Sequence, residues 1–277
     1  MSIISLSPKA TDEPGRRSSR SLKVRRISFE YPPEELPRHF TEDLVMSHVV
    51  AVLSSVFPEG EDYFVRSVRN FRDQITDPDL KPAVAGFIGQ EAIHGREHRV
   101  FNERLQQLGY PSRLIDRFIG NRLRFDEKVA PPHYRLAVTA ALEHYTATLA
   151  EVLLSSEEAQ ATFTSDEVRS LLLWHAIEES EHKAVAFDVF QEVCGDTKVR
   201  TRVMNVVTVG FIGTVVAFTA ISLAKDPAAR DVRRLAHSLR QLPQSPWLTR
   251  DVRRRIRDYN RPDFHPDDHD ATELLNE

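Results

Sequence analysis

The amino-acid sequence predicts an all-α fold, and three observations support this prediction. Only 10 of the 277 residues are glycine, whereas average usage of about 7% would give about 19. Sheet proteins use glycine in hairpins and bulges, so the shortage favours helices. Apolar residues recur at steps of three and four along most of the chain. No segment shows the alternation of a half-buried strand.

The elements follow from this periodicity in chain order. Residues 1–38 contain several arginines and then a proline-rich segment, which predicts an extended N-terminal arm. We expect a bundle over 39–198, and an apolar helix, basic helices and a tail packed on it over 199–277. The predicted helices cover 40–56, 59–76, 79–109, 113–129, 132–155, 165–194 and 199–225, with short basic helices over 228–241 and 247–258.

Composition excludes several classes of protein. Hydrophobic residues make up 41% of the chain, which is enough for a sizeable core and excludes a disordered protein. A net charge of -4 gives no reason to expect nucleic-acid binding. Cys194 is the single cysteine, which excludes an intramolecular disulfide and an all-cysteine metal site. The N-terminal residues lack the apolar segment of a secretory signal, so we expect a cytoplasmic protein.

Ionisable residues interrupt the apolar stripe of the helix predicted over 79–109. The stripe is apolar at both ends, but its centre holds Glu91, His94 and His98. Three ionisable groups on a core-facing stripe are costly unless they are paired or bind a metal. The stripe therefore indicates a buried polar site in the middle of this helix.

The helix predicted over 165–194 has the same interruption. Its apolar stripe holds His175, Glu179 and His182 at the centre, and the helix over 132–155 carries Glu143 on its apolar side. The helix that opens after Pro58 contributes Glu61. Four helices thus present Glu, Glu-x-x-His, Glu and Glu-x-x-His in chain order.

This order of residues is the ligand set of ferritin-like dinuclear metal sites. In Glu-x-x-His, the i, i+3 spacing places both side chains on one helical face. We therefore predict a ferritin-like four-helix bundle core with additional helices around it. The mixture of carboxylates and imidazoles suits two iron ions, with manganese as the alternative, and suits structural zinc less well.

At two of the carboxylate positions, a neighbouring acidic residue is an alternative ligand. Glu59 and Asp62 lie beside Glu61, in a helical turn where acids also stabilise the helix dipole. Glu178 competes with Glu179, although only Glu179 completes a Glu-x-x-His motif.

Two histidines have uncertain roles. His175 lies four residues before Glu179 and is either an additional ligand or a hydrogen-bond partner of a ligand. His98 is a ligand, a hydrogen-bond partner of a ligand or an ordinary core histidine, and the hydrogen-bonding role is favoured.

Five stretches resemble a bacterial family labelled predicted metal-dependent hydrolase, over nearly the whole chain from about residue 25. They are FPEGEDYFVRSVR (57–69), FIGQEAIHGREHRVFNERL (87–105), LEHYTA (142–147), WHAIEESEHKAVAFDVF (174–190) and RPDFHPDDHD (261–270). The ligand pattern also resembles that of the non-haem di-iron arylamine N-oxygenases, and it does so without further overall similarity. That second resemblance implies metal-ligand roles for Glu61, Glu91, His94, Glu143, His175, Glu179 and His182, and implies nothing about the substrate.

Three functions fit this site. The favoured one is an oxidoreductase in which two iron ions activate O2 to oxidise an apolar small molecule. No flavin or nicotinamide fingerprint is present, so this function needs an electron donor protein. The alternatives are a metal-dependent hydrolase that activates water and a non-enzymatic iron-binding protein.

The segment over 203–224 carries no charged side chain. At 1.5 Å per residue it would be about 33 Å long, which is enough to cross a bilayer. A helix of this kind has four alternative locations. It is buried in the core, lies in an oligomer interface such as that of a homodimer, contacts a membrane surface, or spans the membrane. Basic residues flank it on both sides and therefore indicate no orientation.

Overall fold

The computed structural model describes residues 22–32 and 36–275. Within these ranges the chain forms α-helices and short 3-10 turns without a strand, and Thr41 and Phe163 form an isolated bridge. The all-α prediction is therefore confirmed. The helices are α1 (Leu44–Arg69), α2 (Leu80–Gln107), α3 (Ser112–Val129), α4 (Pro132–Ser155), α5 (Glu157–Ala161), α6 (Asp166–His182), α7 (Val185–Val193), α8 (Thr197–Ala224), α9 (Val232–Gln241) and α10 (Arg250–Asp258).

Helix α1 runs through Pro58 without a break, so the prediction of separate helices over 40–56 and 59–76 was wrong. Proline has no N–H to donate to the carbonyl four residues earlier, which leaves the carbonyl of Ser54 without its helical partner. The side-chain amide of Asn102 on α2 donates to that carbonyl at 2.8 Å. A neighbouring helix thus satisfies the carbonyl that the proline leaves free, and α1 continues.

The helix predicted over 165–194 is two helices in the structure. The helical hydrogen-bond pattern stops at Lys183 and Ala184, between α6 and α7, although both residues keep right-handed helical backbone angles. The ammonium of Lys183 is buried and donates to Glu151 on α4 at 2.7 Å. The break coincides with this buried ion pair, which the local sequence pattern does not reveal.

Helices α1, α2, α4 and α6 enclose a common interior. Helix α1 packs along α2, and α4 packs along α6. Apolar clusters fill the space on both sides of the central polar residues, one around Phe87 and Phe190 and one around Phe101 and Leu171. The arrangement agrees with a bundle of four helices, and its ferritin-like character stays a prediction.

The N-terminal arm lies along α2. Two glycines of α2 permit this close approach, because a Cβ on Gly86 would lie 2.5 Å from Leu22 Cβ, and one on Gly89 would lie 2.5 Å from Val24 Cγ2. Farther along, the backbone N–H of Phe29 donates to Glu97 at 2.9 Å. The arm therefore covers the groove beside the central polar residues.

The C-terminal tail is held against the bundle by Arg200. This side chain is fully buried, and its guanidinium donates to the backbone carbonyls of Tyr259 and Arg261. It also lies 5.4 Å from the ring of Phe187 and 5.1 Å from that of Tyr259. These donors satisfy carbonyls at the end of α10, where a cation is favourable. The division into an arm, a bundle and a C-terminal part stays a prediction.

Candidate metal centre

Four carboxylates meet in the interior that the helices enclose. Glu61 comes from α1, Glu91 from α2, Glu143 from α4 and Glu179 from α6, and each residue is at most 3% exposed. Each occupies the apolar side of its helix, so packing of the four apolar faces places them together. Their burial would be very costly if their charges were left unbalanced.

Three imidazoles surround Glu179. Its Oε1 lies 2.9 Å from Nε2 of His175, 3.5 Å from Nδ1 of His94 and 3.5 Å from Nε2 of His182. His175 and His182 reach it along α6 itself, at spacings of four and three residues. His94 reaches it from α2. One carboxylate oxygen therefore sits at the centre of a set of potential ligands.

The ligand atoms form overlapping groups that could each hold a metal ion. One group contains Glu61, His94 and His175, and another contains Glu91, Glu143 and His182. Within the second, Nε2 of His182 lies 3.1 Å from Glu91 Oε1 and 3.3 Å from Glu143 Oε2. A third group of Glu91, His94 and Glu179 joins the first two.

Many atoms of these residues are buried and make no hydrogen bond of acceptable geometry, although some lie close to one another. Both carboxylate oxygens of Glu61, Glu91 and Glu143 are in this condition, and so are Nδ1 of His94 and Nε2 of His182. Buried polar atoms are nearly always hydrogen-bonded in proteins, so a converging set of exceptions indicates an ion. The residues present therefore fit a metal centre of carboxylates and imidazoles.

Hydrogen bonds on the far side of two imidazoles orient them toward this centre. Nε2 of His94 lies 3.0 Å from Glu178 Oε2, which leaves its Nδ1 facing the carboxylates. Nδ1 of His182 lies 3.0 Å from Gln90 Oε1, which leaves its Nε2 facing them. Such partners fix the tautomer and ring angle of metal-binding histidines. Glu178 in turn accepts from Arg25 of the N-terminal arm at 3.2 Å.

A hydrogen-bonded chain of three side chains orients His175. The amide of Asn102 donates to the backbone of Ser54, so Asn102 Oδ1 faces the Ser54 hydroxyl and accepts its proton at 2.8 Å. The Ser54 oxygen must then accept from Nδ1 of His98 at 2.9 Å. Burial lowers the pKa of His98 well below its ordinary value, so the ring is neutral and its Nε2 is an acceptor.

The direction of the chain decides which nitrogen of His175 is free. Nδ1 of His175 lies 2.7 Å from Nε2 of His98 and must donate to it. Burial lowers the pKa of His175 to about 4, so its Nε2 presents a lone pair rather than a proton. That lone pair faces Oε1 of Glu179. Two lone pairs at this distance repel each other unless a cation, either a proton or a metal ion that both atoms bind, offsets the repulsion.

The pKa shifts show how strongly the cluster attracts positive charge. Burial raises the pKa of Glu143 to about 8 and that of Glu61 well above its ordinary value. Burial alone would lower the pKa of His94, but hydrogen bonds to Glu178 and Glu179 raise it to about 10. Protons and metal cations compete for these same atoms.

The structure brings together all seven residues that the sequence nominated: Glu61, Glu91, His94, Glu143, His175, Glu179 and His182. The neighbours of Glu61 point elsewhere, since Glu59 pairs with Arg124 and Asp62 pairs with Arg99.

The structure also separates the roles left open at Glu178 and His98. Glu178 lies behind His94, and His98 uses both nitrogens in hydrogen bonds, as its favoured role required. The sequence reasoning missed Gln90, Ser54, Asn102 and Arg25. The signal at Gln90 was an amide directly before Glu91 on the buried side of α2, whereas Ser54, Asn102 and Arg25 carry no signal that periodicity can detect.

A family model described as "Predicted metal-dependent hydrolase" matches residues 23–270. The match covers most of the chain, and the protein therefore belongs to this family. No curated protein and no solved structure matches the sequence. The description agrees with the metal-binding capacity of the buried Glu and His clusters.

Proposed function

We propose that this protein is an enzyme that holds two iron ions and uses O2 to oxidise a small apolar molecule. The observation that carries the proposal is the convergence of four carboxylates and three imidazoles from four helices, with most of their inward-facing atoms lacking a hydrogen-bond partner. This composition is characteristic of carboxylate-bridged iron or manganese pairs in helical bundles.

Charge balance supports two divalent ions rather than one. Metal binding displaces the protons that these groups otherwise hold. With Glu61, Glu91, Glu143 and Glu179 all ionised, the site would carry four negative charges, which neutral imidazoles do not offset. A buried net charge of this size is not tolerated. Two divalent cations would neutralise it. The nearby Glu178 needs no such cation, because Arg25 pairs with it.

The residues form two groups, one for each ion, and two carboxylates lie between the groups. Glu61 and His175 would hold one ion, and Glu143 and His182 the other. Glu91 and Glu179 lie between them, and His94 approaches Glu179 from α2. When bound, the ions would supply the redox chemistry, and the chain supplies their position, their spacing and a dry surrounding.

Aromatic rings provide that dry surrounding. Phe57 lies edge-on to His175 at 5.0 Å, Phe87 to His182 at 4.9 Å and Trp174 to His94 at 5.0 Å between ring centroids. Apolar walls limit the access of water and suit an apolar substrate. Transfer of one oxygen atom to a substrate consumes O2, two electrons and two protons and releases water. The proposal therefore includes an electron donor protein as a partner.

The family description favours a second candidate, hydrolysis. A pair of metal ions can position water and lower its pKa for attack on an ester or phosphoester. The same seven residues would hold the ions, and neither O2 nor an electron donor would be required. Dependence on O2 thus separates the two candidates.

The test is to load the purified full-length protein with ferrous iron without air and then add O2. We expect about two irons per chain and rapid O2 consumption, with continued consumption when a chemical reductant and an apolar substrate panel are present. The Glu143→Ala variant should lose this activity. Glu151→Gln, which changes a buried glutamate of the same helix but keeps an oxygen acceptor for the Lys183 ammonium, serves as the control and should retain the metal.

Other outcomes would contradict the proposal. Cleavage of nitrophenyl esters or phosphoesters by the zinc or manganese form without O2 would establish the hydrolase. Uptake and oxidation of many irons per chain without substrate turnover would indicate iron storage.

A further inference from the structure

Helix α8 has an unpartnered apolar face. It is long and apolar enough to cross a membrane by length and composition, yet only 17% of its most apolar window is buried. Val206, Val209, Ile212 and Val216 are between 52% and 75% exposed. The structure thus disagrees with a buried core helix, one of the alternatives for residues 203–224.

Helix α3 carries a second exposed apolar stripe. Leu114, Phe118, Phe125 and Val129 are 47% to 60% exposed. Their spacing of four, seven and four residues places them within about 60° of each other around the helix. Phe118 packs against Phe218 of α8 at 5.1 Å between ring centroids, so the two helices adjoin there. We call these residues, with Val206, Val209, Ile212 and Val216 of α8, the apolar face.

Soluble monomers rarely expose apolar patches of such extent unless a partner covers them. The opposite side of α8 packs on the bundle through Val203, Met204, Val207 and Phe218. A membrane-spanning position would strip α8 from those contacts. Whatever covers the apolar face must therefore bind from one side.

Charge identifies the kind of partner. Helix α8 contains no acidic residue, and the exposed Lys198, Arg202 and Lys225 lie at its two ends. Arg113 and Arg117 are exposed beside Leu114 and Phe118 on α3. None of these five forms an ion pair with the residues described in 22–32 and 36–275. A second copy of this face would set basic ends against basic ends, whereas anionic headgroups would neutralise them.

We propose that the apolar face binds the surface of a bilayer that contains anionic phospholipid, with α8 lying in the plane of the membrane. Apolar side chains between basic residues are the composition of interfacial helices, and the exposed Phe118 and Phe125 of α3 add apolar aromatic side chains of the kind that such helices bury. This inference does not depend on the chemistry of the metal centre.

The test uses sedimentation of the metal-loaded full-length protein with vesicles of 30% phosphatidylglycerol and 70% phosphatidylcholine. We expect binding to these vesicles and at least tenfold weaker binding to pure phosphatidylcholine. The double variant Val209→Glu/Val216→Glu should reduce binding at least tenfold. Val232→Glu/Leu239→Glu places the same charges at the same spacing on exposed positions of α9 and should bind as the wild type does.

A second pair of variants tests the basic residues. Lys198→Ala/Arg202→Ala should weaken binding to the anionic vesicles about thirtyfold, the factor expected for two basic residues near a charged membrane. Arg253→Ala/Arg257→Ala on α10 is the matched control and should have little effect. This comparison also separates the apolar face from the arginines of residues 1–21.

Three results would overturn the proposal. The first is wild-type binding no stronger to anionic than to neutral vesicles. The second is equal losses in the test and control variants. The third is a dimeric wild type, by light scattering, that Val209→Glu/Val216→Glu converts to a monomer, since a second copy would then cover the face.

Discussion

Replacement of His98 tests the hydrogen-bond chain behind His175. In His98→Phe the ring shape is nearly kept, and so is its edge contact with Phe57 at 4.8 Å. The change removes the acceptor for Nδ1 of His175, which lies 2.7 Å away, and the donor to Ser54. His175 is then free to take the other tautomer, with a proton on the nitrogen that faces the carboxylates.

The expected magnitude follows from the role of such partners. Loss of a hydrogen-bond partner behind a metal-binding histidine costs about ten- to hundredfold in metal affinity, which is about 1.4–2.7 kcal/mol. The buried N–H of His175 also loses its acceptor, which should lower the free energy of unfolding by about 1–3 kcal/mol. Isothermal titration with Mn²⁺ measures the first quantity, and urea unfolding of the metal-free protein measures the second.

Two further variants make the result specific. His98→Gln offers both an acceptor to His175 and a donor to Ser54, so it should restore metal affinity to within about threefold of the wild type. His265→Phe removes a buried histidine of the C-terminal tail, which lies 2.8 Å from Asp188. It should lower stability without changing metal affinity. Equal metal affinities for wild type, His98→Phe and His98→Gln would refute the reasoning.

Three more predictions concern the pH dependence of metal binding, the buried Asp226 between α8 and α9, and the N-terminal arm. Metal binding must displace protons from groups with raised pKa values, such as Glu143 at about 8 and His94 at about 10. Metal affinity should therefore rise from pH 6 to pH 8, and protons should be released on binding. Calorimetry in two buffers of different ionisation enthalpy measures the proton release, and a pH-independent affinity would contradict the prediction. Hydrogen bonds from His39, Ala228 and His48 lower the pKa of Asp226 well below its ordinary value although burial opposes them, so this carboxylate stabilises the fold above about pH 4 and its contribution is lost as pH falls further. Asp226→Asn should therefore lower the free energy of unfolding by about 2 kcal/mol at pH 7, and the difference from the wild type should shrink toward pH 3 in urea titrations; a constant difference would exclude the ionic explanation. In Gly60→Ala the added Cβ meets no atom within 4 Å, so this variant should be more stable by about 0.8–1.0 kcal/mol. In Gly86→Ala the added Cβ would lie 2.5 Å from Leu22 Cβ, so this variant should show no gain in stability, and its N-terminal arm should become sensitive to limited proteolysis. Equal protease resistance of the two variants would show that the arm does not need Gly86.

The sequence by itself determined the helical class and the composition of the centre. Both depend on local geometry, because the 3.6-residue period places residues three and four apart on one face. Glu91 with His94, and Glu179 with His182, were therefore recognisable as inward-facing pairs. The apolar sides of their helices then required that they meet Glu61 and Glu143 in the core.

The tertiary structure decided what depends on partners distant in sequence. Asn102 of α2 satisfies the carbonyl that Pro58 leaves free, so α1 continues where the local rule predicts a break. Asn102 also sets the direction of the chain that ends at Nε2 of His175. The exposure of α8 was equally hidden, because a uniformly apolar helix has the same sequence in a core and on a surface. In each case the deciding atom belongs to another helix, and helical periodicity contains no information about which helix packs where.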